Sequence, residues 1–206
     1  MVNGAPKPLA ANAADTRSRS INANSERQLA LEVRARRLAF AVFQGSSLLD
    51  WGARSYATGA LGVEGAIDKL RFLLNLYAPP VVIVRGTRHA KDESSKTTVR
   101  VLRRIKNELK RQPVRLVVVG RQDVRRFFSQ YGCHAKHDVA SLLANQFPEL
   151  KWRLPRRRRP WDSEAYTVAV FDAIGTAVTF NNVPLHPEAM GIEGGIDGSS
   201  AGVRTE

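Results

Sequence analysis

The sequence holds one cysteine, Cys133, among 206 residues. That excludes an internal disulfide framework and any zinc cage built on several thiolates. No apolar run approaches the roughly 18 residues that span a bilayer, and the first residues contain no apolar stretch of the signal-peptide type. No GxGxxG or GxxxxGK(S/T) follows an apparent strand, which argues against a nucleotide-binding loop. No internal repeat is visible. Acids are the scarcest charged type: 19 Asp and Glu stand against 32 Lys and Arg, a net charge of +13. This excess points to a polyanionic partner and says nothing about fold. The expectation is a protein of a reducing compartment, cytoplasmic, associated with the nucleoid in a bacterium, and without a membrane partner.

What is present suffices for one domain with tails, since hydrophobic residues make up 43% and charged residues 25%. Residues 1 to about 25 contain Ala, Asn, Ser and Pro with few large apolar side chains, so disorder is expected there. A transit peptide is the alternative for this acid-poor start. Ser25 with Gln28 has the spacing of a capping box before a short helix through Leu29, Leu31 and Val33. Residues 1–36 are therefore read as a disordered or partly helical arm, 37–180 as the folded domain, and 181–206 as a flexible acidic tail.

Within 37–180, Leu38 to Phe43 reads as a strand, Gly45-Ser46 as a turn and Leu48 to Ala53 as a second strand, with Arg54 to Ala57 a further candidate. Ala66, Ile67, Leu70, Leu73, Leu74 and Tyr77 have helical spacing, which Pro79-Pro80 ends. Val81 to Val84 and Leu116 to Val119 are continuous apolar runs of the kind found in strands buried on both faces. Between them, residues 96–111 form an amphipathic helix. Helices near 121–130 and 135–147 follow, and a last one runs from Ser163 to Phe180. The alternation predicts an α/β domain with a mixed sheet flanked by helices.

The positive charge is concentrated. Residues 96–111 carry Lys96, Arg100, Arg103, Arg104, Lys106, Lys110 and Arg111 against Glu108 alone; residues 151–160 carry Lys151, Arg153 and Arg156 to Arg159 with no acid. A charged helix face is often just solvated. Four adjacent guanidinium groups, however, repel one another unless an anion screens them, and their planar forks suit phosphate oxygens. Trp152 and Trp161 flank the tract and are suited to stacking on bases or sugars, although Trp161 reads equally well as a core anchor. A nuclear localisation signal is a further reading of the Arg run. Nucleic acid is the favoured partner, ahead of an anionic membrane or an acidic protein.

Several stretches, in order, carry a family resemblance. They are Leu38-Ala39-Phe40-Ala41-Val42-Phe43-Gln44-Gly45-Ser46, Pro79-Pro80-Val81-Val82-Ile83-Val84-Arg85, Tyr131-Gly132-Cys133-His134-Ala135-Lys136-His137-Asp138-Val139 and Asp172-Ala173-Ile174-Gly175-Thr176-Ala177. Together they resemble the RuvC Holliday-junction resolvases of the ribonuclease H-like fold: first strand and turn, central strand, a helix-opening segment and the final helix. The resemblance spans residues 37–180. It implies a junction-cutting endodeoxyribonuclease, dimeric, with paired Mg²⁺ or Mn²⁺ ions held by carboxylates. Such ions, about 3.5–4 Å apart, clamp the attacking and leaving oxygens of an in-line displacement.

At the implied metal positions the sequence departs from the family. The first-strand acid falls on Phe43, the central-strand acid on Arg85, and one of the final-helix acids on Ala169. Asp172 alone matches and is the candidate metal ligand. Asp162 and Glu164 are candidate catalytic partners, although a helix would set Glu164 about 12 Å from Asp172. Asp50, Asp92 and Glu93 are weaker substitutes. Asp172 reads equally well as a buried acid paired with Arg85. The favoured function is therefore binding of nucleic acid, DNA and branched DNA in particular, on a nuclease fold whose metal site is largely lost. Arg85, Arg103, Arg104, Lys136, Arg156, Arg157, Arg158 and Arg159 are the candidate phosphate contacts. The alternatives are an active endonuclease with rearranged carboxylates, needing Mg²⁺ or Mn²⁺, and a non-catalytic adaptor for an acidic protein or structured RNA. Without catalysis no cofactor is expected. A homodimer is the expected assembly.

Overall fold

A computed structural model describes residues 26–57, 59–86, 95–157 and 166–182. Its elements are β1 (Arg27–Arg34), β2 (Arg37–Gln44), β3 (Ser47–Ser55), α1 (Gly59–Tyr77), β4 (Val81–Gly86), α2 (Lys96–Leu109), β5 (Arg115–Gly120), α3 (Arg121–Ser129), α4 (Lys136–Gln146), a 3-10 helix (Pro148–Arg153) and α5 (Val168–Asn181). The tract Arg158-Arg159, with Trp161, Asp162 and Glu164, lies outside the described residues, as do Asp92, Glu93 and the segments read as tails before residue 26 and after 182.

The five strands form one sheet in the order β3-β2-β1-β4-β5. β1, β2 and β3 make an antiparallel meander, and β4 and β5 run parallel to β1. The Gly45-Ser46 turn is a two-residue hairpin loop. Such loops need a positive φ at their first position, and Gly45 supplies 61°.

β1 corrects the sequence reading of this segment. The helix expected through Leu29, Leu31 and Val33 is a strand, and Gln28 pairs with Phe43 and Val81 instead of capping a helix. The physical reason is the period. Leu29, Leu31 and Val33 recur every second residue, which places them on one face of a strand and scatters them round a helix. They join one core cluster while Ala30 joins the other. The sheet therefore begins at Arg27 rather than after residue 36. The boundary at Arg54 also dissolves, because β3 runs unbroken to Ser55. The final helix spans Val168–Asn181, after a turn at Tyr166-Thr167, and its expected start at Ser163 lies outside the described residues. It closes on Asn182 in the left-handed conformation that ends many helices.

Two cores sandwich the sheet. α1 and α2 bring Ile67, Leu70, Leu73, Ile105 and Leu109 onto Leu29, Leu31, Leu38, Phe40, Val82 and Val84. On the other face, α3, α4 and α5 cover Ala30, Ala39, Ala41, Phe43, Val81 and Ile83. α5 is apolar on nearly all sides, as a helix buried between a sheet and two others must be: Ala169 to Phe171 and Ala173 to Val178 are buried. Small residues let it sit close. A Cβ on Gly175 would lie 3.3 Å from the Phe128 ring.

Candidate nucleic-acid interface

Asp172 is the sole charged residue of α5, in a segment reading VAVFDAIGTAVTFN. A carboxylate in such a setting must be paired, because an uncompensated buried charge costs several kcal/mol. The sheet supplies the partners. Glu32 and Arg34 stand on β1 on the same face as Ala30, by strand alternation. Arg85 follows the four buried residues Val81 to Val84 of β4. The parallel register Leu31↔Val84 makes Glu32 and Arg85 neighbours at the carboxyl ends of the two strands.

The resulting cluster is dense. Arg85 Nη1 is 2.6 Å from Asp172 Oδ1 and 3.7 Å from Glu32 Oε2. Arg34 Nε is 2.9 Å from Glu32 Oε1, and its Nη2 donates to Asp172 Oδ2. Lys136 Nζ lies 3.8 Å from Asp172 Oδ2. Arg121, the first residue of α3, also acts electrostatically on Glu32. Two carboxylates thus face four cationic groups. Burial pushes Glu32 up to about 7; Arg85, Arg34 and Arg121 pull it down, and the neighbouring Asp172 pushes it further up. Every proton Glu32 takes up makes the cluster more positive.

Lys136 and Arg121 are the first residues of their helices, where the helix dipole disfavours a cation. Asp138 and Asp123 supply the helix-start acids instead: Asp138 Oδ2 accepts from the Ala135 amide at 2.9 Å, and Asp123 Oδ2 from Gly120 at 3.1 Å. The two basic side chains therefore do not serve their own helices. They ring the carboxyl ends of the parallel strands, where open α/β sheets place ligands.

Of the sequence candidates, Arg85, Lys136 and Asp172 come together here. Phe43, onto which the resemblance set the first-strand acid, is wholly buried in β2, its ring edge-on to Phe147 at 5.7 Å. The acid beside Arg85 is Glu32, on the strand read as a helix. Arg103 and Arg104 are not in this cluster. They line a groove of about 330 Å³ with Val63, Glu64, Arg100 and Asn107 on the α1–α2 side, and Arg104 Nη2 lies 3.6 Å from Glu64 Oε1. Arg156 and Arg157 are exposed beyond the 3-10 helix. Asp50 does not reach the cluster, since its carboxylate accepts from the Tyr77 hydroxyl at the end of α1 and from the Trp51 amide. Cys133 is buried, and burial pushes its thiol up to about 11, away from the thiolate form. The sequence reading also missed Arg34, and missed that Trp51, Trp152 and Arg153 meet at one place. Trp51 and Trp152 have ring centroids 5.8 Å apart, and the Arg153 guanidinium lies 4.0 Å from the Trp152 ring.

Among the described residues no group of three or more His, Cys, Asp and Glu side chains stands together as a metal site, and no helix is long and apolar enough to cross a membrane.

The sheet order and the helices on both faces define a RuvC-like fold of the ribonuclease H type. Solved structures agree. Thermus thermophilus RuvC superposes with a TM-score of 0.51 at 16% identity, over 74% of this chain and 92% of that one. T. thermophilus RuvC in complex with its Holliday junction substrate gives 0.50 at 15%, over 75% and 91%. The yeast mitochondrial Holliday junction resolvase gives 0.54 at 12%, over 82% and 86%. No family model and no curated protein matches the sequence.

Proposed function

We propose that this protein binds nucleic acid, DNA and branched DNA in particular, on a nuclease-type fold in which guanidinium groups occupy the place of catalytic metal ions. The observation that carries the reading is the 2.6 Å contact between Arg85 Nη1 and Asp172 Oδ1, with Arg34 bridging Asp172 and Glu32. A pair of hard divalent ions needs several carboxylate oxygens converging on it. Among the described residues two carboxylates converge, and both are engaged by arginines. This donor set does not fit a metal pair, and Arg85 at its centre repels cations and attracts phosphate.

The same geometry suits a phosphodiester backbone. Arg34 and Lys136 are the more open cations, with side chains 26% and 55% exposed, whereas Arg85 is 11% exposed and Asp172, 13% exposed, contacts all three. A phosphate arriving at Lys136 and Arg34 shares these cations with Asp172, since a phosphodiester is a monoanion like the carboxylate and the cluster has cations in excess. Arg156 and Arg157 lie on exposed chain after the 3-10 helix and extend the positive surface, with Arg158 and Arg159 continuing the tract in sequence. Contacts of this kind give affinity and register rather than base sequence. The resolvase resemblance favours branched DNA as the ligand, and a homodimer as the binding unit. Exposed Leu61, Phe72 and Leu76 on α1 give a second copy apolar surface to cover.

The test is a gel series with labelled four-way junction and plain duplex in Mg²⁺, Mn²⁺ or EDTA, with Asp172→Asn alongside. The expected result is junction-preferring binding in all three conditions, no cleavage, and binding by Asp172→Asn at least as tight as wild type because an anion has left the cluster. Metal-dependent cleavage that Asp172→Asn abolishes overturns the reading in favour of an active endonuclease. Absence of binding at low salt overturns it in favour of an adaptor.

A further inference from the structure

Beside the cluster lies a second feature that phosphate binding does not use. Asp50, Trp51, Gly52 and Ala53 of β3, Trp152 and Arg153 of the 3-10 helix, Tyr166, Thr167 and Val170 enclose a cleft of about 500 Å³, within the size range of small-ligand sites. Trp152 is 69% exposed, so folding leaves most of a large indole in water. It is nevertheless held in place: Trp51 supports it from one side and the Arg153 guanidinium lies against its ring. Tyr166 is fixed in turn, its hydroxyl donating to Ala53 O at 2.8 Å and its ring covered by Arg37 at 4.1 Å. Among the described residues the lining has one carboxylate, Asp50, which already accepts two hydrogen bonds. The cleft therefore offers flat aromatic and guanidinium faces.

Its position is fixed by the sheet. Ala53 pairs with Ala39, and Ala39 pairs with Glu32. Ala53 thus stands level with Glu32, two strand spacings away, or about 10 Å. Ala53 and Trp51 pack against the same core as Ala30 and α5, so cleft and cationic cluster open on one face. A strand with a phosphate on Lys136 and Arg34 has this cleft within reach of a neighbouring base.

We propose that the cleft receives an unstacked nucleobase, with Trp152 and Arg153 as the stacking faces, and that this is how the protein distinguishes DNA with unpaired nucleotides from fully paired duplex. The inference rests on the nucleic-acid reading above. Base–aromatic stacking tolerates any base, and an arginine at the ring adds a cation–π contribution, so no sequence preference is expected.

The experiment measures fluorescence anisotropy of two labelled probes at fixed low salt, with the full chain and its Trp152→Ala, Trp152→Phe and Arg153→Gln variants. One probe is single-stranded oligothymidylate of about 12 nucleotides, inside the usual span of single-strand sites; the other is a blunt duplex. Trp152→Ala is expected to weaken oligothymidylate binding by about 5- to 150-fold. Trp152→Phe should recover most of the loss, Arg153→Gln should give a smaller loss, and duplex binding should stay unchanged. Because Trp152 is mostly exposed, its truncation tests the cleft without endangering the fold. If wild type binds both probes and Trp152→Ala alters neither, or weakens both equally, the base-stacking inference is overturned while the nucleic-acid reading stands. If wild type binds neither probe, both fall.

Discussion

On one face of the sheet, α1 and α2 lay Ile67, Leu70, Ile105 and Leu109 against Leu29, Leu31, Val82 and Val84, and the buried acid of α2, Glu108, forms a single pair at 2.8 Å with the half-exposed Arg71 of α1. On the other face an apolar helix of similar burial, α5, carries one acid into contact with Arg34 and Arg85, and the cleft at Trp51 and Trp152 opens beside it. The contrast separates what a core needs from what a site needs. The closed face is apolar burial with one ion pair at its edge, Arg71 being open to water. Ion pairs do not improve on that: a buried pair roughly breaks even against well-packed apolar residues, and is costly when one member is lost. The open face gathers two carboxylates and four cations, more than one pair needs, and the proposed anion binding gives a reason for the excess of cations.

Replacing Arg85 with Met breaks the comparison most severely. It leaves Asp172 and Glu32 short of a partner on the open face, and about 3–5 kcal/mol of stability should be lost at neutral pH. Adding Asp172→Leu should restore most of that loss, because both members are then apolar. DNA binding should remain weakened in the double variant. Urea melts and anisotropy on the same samples separate the two quantities. Recovery of stability and binding together would mean that the cluster has no part in binding.

The pH dependence of stability sharpens the comparison by isolating Glu32. Its carboxyl is raised from an ordinary 4.5 to about 7 by burial, so between these values the folded chain keeps a proton that the unfolded chain has lost. Stability from this group is then fully present below about pH 4.5 and is lost as pH rises through 7, by roughly 3 kcal/mol. Wild type should lose stability from pH 5 to pH 8 relative to Glu32→Gln, which cannot ionise. Parallel stability curves for the two proteins would show Glu32 to be ionised throughout.

The comparison also explains what was legible in the sequence. Val81 to Val84 announces a strand buried on both faces; Leu116 to Val119, read the same way, is a strand at the edge of the sheet in which Leu116 to Val118 are only partly buried, because an edge strand has one neighbour. The amphipathic faces of α1 and α2 are equally plain. β1 is ambiguous locally: Leu29, Leu31 and Val33 alternate over too few residues to outweigh a Ser–Gln capping spacing, and the strand is settled only by pairing with β2 and β4. Misplacing it displaced the first strand of the resemblance onto β2 and hid Glu32, although one acid between buried neighbours was a usable signal. Arg85 and Asp172 were readable as a pair because each interrupts an apolar run. The cleft was not readable, since Trp51 and Trp152 belong to elements that meet only in the folded chain.

The smallest expected effect concerns whether the closed face takes part in binding at all. Arg103 is exposed on α2, across the sheet from the cluster. If DNA wraps far enough to reach it, Arg103→Ala releases one phosphate contact, and the slope of log K against log salt becomes shallower by about 0.9. That change should be the same for junction and duplex, because a rim phosphate contact carries no shape information. Lys136→Ala on the open face should produce a slope change of the same size and also reduce the preference for the junction. Titrations at several salt concentrations measure both. An unchanged slope in Arg103→Ala would confine the footprint to the open face and leave the basic surface of α2 as a solvated helix exterior. Loss of junction preference in Arg103→Ala would instead mean that the branch point is read from the α1–α2 side, reversing the assignment of the two faces.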